Sequence, residues 1–207
     1  MGKYEVLCHN SIKIKGNKII YIDPYKISEN YNDADYIFCT HSHYDHFSEE
    51  DIKKVIKKET KIITVKSSEE DAKKIVEEQN LLIVEPNKSY KIDDIEFKTT
   101  YAYNKNKKFH PKENMWVGFI IDFEGIKYYI AGDTDNLDEL HNIECNIAFI
   151  PIGGTYTMDY KEAAEFANKI TAEIIVPTHY GLIVGNKEDG IKFEKLVKNK
   201  KVEIFIK

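Results

Sequence analysis

His41-Ser42-His43-Tyr44-Asp45-His46 follows directly on the apolar run at residues 35–40. Three imidazoles and a carboxylate crowded at the end of a strand have no evident structural job. Neutral imidazole and carboxylate are, however, the ligands that zinc, iron and manganese take. In extended chain, residues two apart point the same way, so His41 and His43 can grip one ion together. A turn after them would re-aim Asp45 and His46 toward a second ion.

Four protein ligands are too few for two ions, so others are sought further along. Ile130-Ala131-Gly132-Asp133-Thr134-Asp135 ends an apolar strand, and Asp133 is placed there to bridge two cations. Taken alone, Gly-Asp-Thr-Asp reads equally as a turn with a helix cap. Val176-Pro177-Thr178-His179-Tyr180-Gly181 repeats the design, an apolar strand ending in His and then Gly. All three sites fall at strand C-terminal ends, the usual site edge of α/β folds.

Around these sites the pattern predicts strands at 4–9, 11–15, 18–23, 35–40, 61–65 and 81–84. Ser48-Glu-Glu-Asp reads as a capping box for a helix carrying Ile52, Val55 and Ile56. Ser67 or Ser68 caps a second helix through Ala72, Ile75 and Val76. Strands follow at 90–92, 95–101, 116–123 and 127–130, the last two joined by a Glu124-Gly125 turn. The final third predicts strand 146–151, helix 160–170, strand 173–177, helix 187–197 and strand 202–206. Each half thus opens with β-hairpins and closes with β-α units. Two sheets facing each other with helices outside would satisfy that order, within one domain spanning 1–207.

A chain of 207 residues, 42 % hydrophobic and 31 % charged, can bury a core without disulfides. The net charge of −5 argues against a nucleic-acid or anionic-membrane partner, which a basic face would attract. Cys8, Cys39 and Cys145 are isolated, an odd count with no repeated spacing, so a reducing, cytoplasmic setting is expected. No signal-peptide pattern and no apolar run of membrane-spanning length is seen.

With these motifs in hand, the chain resembles the metallo-β-lactamase superfamily over essentially its whole length. Ile22-Asp23-Pro24, the His-x-His-x-Asp-His run, Ala131-Gly132-Asp133 and Pro177-Thr178-His179 carry the resemblance. It implies an α+β, four-layer αβ/βα sandwich, two facing mixed β-sheets with outer helices, with the metals between the sheet edges. It implies that His41 and His43 bind the first ion, that Asp45, His46 and His179 bind the second, and that Asp133 bridges. Asp23 would orient the cluster.

Within the superfamily the chain looks most like the small hydrolases near the ascorbate-6-phosphate lactonase branch. Ala102-Tyr103-Asn104, His110-Pro111-Lys112, Trp116-Val117-Gly118 and the run from Pro151 to Met158 carry that likeness. There is one departure. Many relatives place a third His for the first ion where this chain has Asn104, and His110 is the natural substitute. Either Asn104 or His110 would complete that site.

The resemblance and the ligand set together predict a metal-dependent hydrolase with two divalent ions, zinc first, with manganese or iron compatible. A dinuclear-metal-bound hydroxide would attack a small ester, lactone or phosphodiester. Asp45 would orient that nucleophile and accept a proton, and His110 stands with it as a catalytic candidate. The substrate is expected to be a small molecule, phosphorylated or not, and a homo-oligomer is allowed.

Secondary readings attach to other residues. Gly153-Gly154-Thr155-Tyr156 is either an anion cradle or a tight strand-to-helix connection. Lys105, Lys107, Lys108 and Tyr156 are candidate substrate contacts. His9 resembles a supporting position of the family and reads equally as a structural His, and His141 is expected to be exposed. The rival activities are a phosphodiester-cleaving nuclease on the same fold and a diiron redox enzyme. A true β-lactamase is not expected, since Asp133 stands where secreted antibiotic-degrading relatives carry Cys.

Overall fold

Strands pair in chain order throughout the computed structural model, which describes residues 3–206. The chain clusters into two units that divide after Glu85. In the first, β1 (Lys3–Cys8), β2 (Ser11–Lys15), β3 (Ile19–Ile22), β4 (Ala34–Phe38), β5 (Ile56–Val65) and β6 (Leu81–Val84) form one sheet in that order. β1 to β3 are antiparallel neighbours, and β3 to β6 run parallel. Two helices serve the parallel crossovers, α1 (Glu49–Val55) and α2 (Glu69–Ala72).

The second unit repeats the scheme. β7 (Ser89–Ile92), β8 (Ile95–Tyr101), β9 (Val117–Phe123) and β10 (Ile126–Ile130) form an antiparallel meander. β11 (Ile147–Pro151), β12 (Ile174–Thr178) and β13 (Lys201–Val202) then add in parallel, with α3 (Tyr160–Lys169) and α4 (Asp189–Glu194) between them. Both sheets are therefore mixed, and the hairpin-then-crossover order read from the sequence holds in each unit.

Each unit builds its core by laying helices on one sheet face. In the first, Tyr21, Ile37 and Ile62 of the strands and Cys39 just beyond β4 pack with Ile52 and Val55 of α1 and Ala72 of α2. In the second, Tyr129, Ala148, Ile150 and Ile175 pack with Ala163, Ala164, Phe166 and Ala167 of α3 and with Phe193 of α4. Fully burying one such aliphatic or aromatic side chain contributes about 1.5–3 kcal/mol.

Local chemistry sets the element ends. The Ser48 hydroxyl accepts the Asp51 N–H at 3.3 Å, with Glu49, Glu50 and Asp51 in the first turn of α1 and Lys53 and Lys54 in its last. The buried Asp51 carboxylate also accepts the N–H groups of Lys26 and Ile27, both at 2.9 Å, which ties the loop after β3 to the helix. Glu124 and Gly125 take φ of +53° and +75°, the conformation a two-residue hairpin turn needs.

Four expectations are corrected. Ile56 does not continue α1; its extended backbone starts β5, which is longer than 61–65. The helix through Ala72 ends after one turn, because the Lys74 and Ile75 N–H groups tighten onto Asp71 and Ala72; Ile75 and Val76 still pack on the core from that turn. α4 is shorter than 187–197: Asn186 and Asp189 exchange hydrogen bonds in a turn before it, and Leu196 and Val197 close back on Phe193 after it. β13 stops at Val202. The Glu203 N–H still reaches Ile175 O at 3.0 Å, but the next β12 residue facing that side is Pro177, which has no N–H to extend the ladder.

Among the described residues the three cysteines form no disulfide, and burial pushes each thiol above its ordinary range. No helix of the described residues is long and apolar enough to cross a membrane.

Candidate metal centre

In the first unit the ligand run lies beyond β4 in a bend followed by a turn, with the N–H groups of His46 and Phe47 both donated to His43 O. It is not extended chain. His41 and His43 converge all the same, with His41 Nε2 3.1 Å from His43 Nδ1, because the bend lets them use different ring nitrogens. The turn re-aims the next two residues as expected, placing His46 Nε2 3.7 Å from Asp45 Oδ2.

The protons on these rings follow from their partners. Asp23, fully buried at the end of β3, accepts the Thr40 N–H and hydroxyl, both at 2.8 Å, and the Asn10 side-chain amide at 2.7 Å. Its Oδ2 also lies 2.8 Å from His46 Nδ1. A carboxylate can only accept, so Nδ1 carries the proton and the His46 lone pair is on Nε2. The Thr40 hydroxyl, already donating to Asp23, accepts from His41 Nδ1 at 3.0 Å, which puts the His41 lone pair on Nε2 as well. Asp23 is thus the orienting residue that the resemblance implied.

In the second unit three expected residues meet. Asp133 follows β10 through Gly132, whose φ is +65°, and His179 follows β12 with φ +58°. Asp133 Oδ2 lies 3.1 Å from His179 Nε2 and 3.1 Å from His110 Nε2, and all three side chains are buried. Two ligands on one tetrahedral ion with bonds of about 2.05 Å stand about 3.3 Å apart, so these separations suit donors that share an ion.

Asn104 and His110 divide the task that the sequence left open between them. The Asn104 amide nitrogen donates to Asp135 Oδ1 at 3.1 Å and to Tyr156 O at 2.9 Å, which turns its oxygen toward His110. That oxygen accepts the His110 N–H at 3.1 Å and lies 3.1 Å from Nδ1. The His110 lone pair is therefore on Nε2, facing Asp133. Asn104 holds the His110 ring, and His110 is not a solvated loop residue.

Other candidates are relocated. The Gly154 N–H is donated to Met158 O and the Thr155 N–H to Gly153 O, while the Asp159 carboxylate caps α3 by accepting from Lys161 and Glu162. Two of the donors expected to cradle an anion are thus spent, and Asp159 would repel one. A Cβ on Gly153 would come within 2.3 Å of His179 O, so this glycine serves close packing beneath a ligand. Lys107 is paired with Asp135 at 2.7 Å and Lys105 with Asp138 at 3.6 Å. His141 is half-buried against Asn136 Oδ1 at 2.7 Å, away from the ligand set. Sequence reasoning overlooked Thr40, although its place directly before the His run was a signal.

Imidazole and carboxylate donors set this close, with the outer nitrogens of His41, His46 and His110 held, fit a divalent metal. Comparison with known proteins agrees. Residues 5–179 match the model of the beta-lactamase superfamily domain. A UPF0173 metal-dependent hydrolase of Thermoplasma acidophilum is 30 % identical over 91 % of this chain and 87 % of its own length. One from Staphylothermus marinus is 31 % identical over 86 % of this chain and 77 % of its own. Among solved structures, a protein of Parabacteroides distasonis, provisionally named a metal-dependent hydrolase, superposes with a TM-score of 0.82. It shares 25 % identity over 100 % of this chain and 99 % of that one.

Proposed function

Because this chain belongs to the metallo-β-lactamase superfamily, we propose that it is a metal-dependent hydrolase acting on a small ester, lactone or phosphodiester with two divalent ions, zinc first. Its ligands are His41, His43, Asp45 and His46 from the first unit and His110, Asp133 and His179 from the second. The observation that carries the reading is Asp133 Oδ2 at 3.1 Å from the Nε2 atoms of both His110 and His179.

Bound divalent ions would supply water activation near neutral pH and charge stabilisation at the oxygen being attacked. The chain's own residues do the rest. Asp23 and Asn104 fix the tautomers of His46 and His110, so the donor nitrogens are set before any ion arrives. Asp45 orients the attacking water and accepts its proton. His110, on the loop between β8 and β9, brings that loop against the reacting group. The Gly154 and Thr155 amides, Lys105 and Lys107 are engaged within the protein, which leaves Lys108 of the expected anion contacts for a phosphorylated substrate.

The test is metal content of the purified protein and of Asp133→Ala, with turnover of bis-p-nitrophenyl phosphate and a panel of aryl esters and lactones. About two equivalents of zinc or manganese, lost together with ester or lactone turnover in the variant, is the expected result. Metal content unchanged in Asp133→Ala would overturn the assignment.

A further inference from the structure

Asp135 stands two residues beyond Asp133 and is 7 % exposed. Its carboxylate takes three donors, all from the loop that carries His110. Oδ1 accepts the Asn104 side-chain amide at 3.1 Å and Lys107 Nζ at 2.7 Å, and Oδ2 accepts the Lys105 N–H at 2.9 Å. The Asp135 N–H is donated in turn to Tyr103 O at 3.0 Å. Residues 103–107 are thus fastened to the segment that leaves β10, where Asp133 stands.

A capping role does not account for this carboxylate. The single helical turn that follows, Asp138–Leu140, has Leu137 at its N-cap position, so Asp135 caps no helix. What the carboxylate closes is a ring of contacts. From Asp135 the ring runs through the Asn104 amide nitrogen to its oxygen, then to the His110 N–H and Nδ1. His110 Nε2 faces Asp133 Oδ2 at 3.1 Å, and Thr134 alone separates Asp133 from Asp135 along the chain. Hydrogen bonds to an ionised acceptor are about twice as strong as neutral ones, and a buried donor left unmet is costly. The loop therefore has one favoured seat, and His110 takes its place from it.

We propose that Asp135 is a positioning residue for His110. Through Asn104 and the 105–107 backbone it sets where His110 Nε2 meets Asp133 Oδ2, and so how tightly an ion shared by those two is held. The assignment rests on the metal-centre reading above and concerns a residue that ligates nothing itself.

The experiment measures zinc affinity by chelator competition in the full-length native chain, Asp135→Asn, His110→Ala and the double variant. Asparagine keeps the shape of the side chain but must turn its own amide hydrogens toward one side of the donor set. The expected result is about tenfold weaker zinc binding in Asp135→Asn, the lower end of the range for residues that support a ligand. With His110 already replaced, the same substitution should change affinity by less than about twofold, because its route to the ion is gone. Should Asp135→Asn not fold, Lys107→Met removes one donor from the partly exposed side and should give a smaller loss, again only where His110 is present. An equal loss with and without His110 overturns the proposal, since a purely structural role would act in both backgrounds. A native chain that takes up no zinc overturns the metal-centre reading as well, so the two failures are distinguishable.

Discussion

Asn104 shows how much of a site lies in the residues that hold its ligands. From sequence alone its amide could have been a ligand, because nothing local says where an Asn side chain points. Only the fold brings Asp135 Oδ1 and Tyr156 O to its nitrogen, and those bonds turn its oxygen to His110. Asn104→Ala should therefore weaken zinc binding by about 10- to 100-fold in a chelator competition, and Asn104→Asp should not rescue it, because a carboxylate cannot donate to Asp135 and Tyr156. Equal affinity in the alanine variant would remove Asn104 from the site. By contrast, His41, His43, Asp45 and His46 were legible at once, because ligand spacing within a single loop is a local property of the chain. Asp133 and His179 needed only the further rule that sites gather at strand ends. His110 and Asp135 are joined to their partners by contacts across many intervening residues, which no short pattern encodes.

At the scale of elements, the loops and caps are where charge does measurable work. Burial alone would push the Asp51 carboxyl up. Ser48, Lys54 and the N–H groups of Ile27 and Lys26 outweigh it and hold the carboxyl below the usual range. A depressed carboxyl contributes stability that is present above the unfolded-state value of about 3.9 and is lost as pH falls through the folded value. Asp51→Asn should cost about 1.5–3 kcal/mol near neutrality, read from urea midpoints. The gap to the native chain should shrink below about pH 4; a gap constant through that range would show that the charge is not what matters. The Ser48 cap was readable from four residues, but the end of α1 was not. Ile56 fits a helical stripe and a strand equally well; its N–H still reaches back to Ile52 O, and its extended backbone, which starts β5, decided between them. Ile75 and Val76 misled in the same way, since one helical turn and a tightened continuation bury the same side chains.

For the whole molecule, the two units share a grammar of antiparallel strands followed by parallel crossovers, and that order was visible in the alternation of hairpin and helix signals. What one chain's pattern could not give was the length of each crossover helix or of the last strand, which depend on packing partners. If both units contribute ligands, the ion stabilises the native state by mass action, about 2.7 kcal/mol at a free metal level a hundredfold above Kd. Chelation should then lower the unfolding midpoint by about 5–10 °C in a chain of this size, and zinc should restore it. A midpoint indifferent to chelator would contradict metal as part of the folded state. Pro177, finally, does more than shorten β13. The chain past Val202 stays beside the far end of β12, where the Glu203 N–H is donated to Ile175 O and Ile206 O accepts the Tyr180 hydroxyl, so that edge is covered and every residue of β12 is buried. Pro177 offers the covering segment a carbonyl but no amide hydrogen, so a foreign strand that displaced it would find the ladder interrupted there.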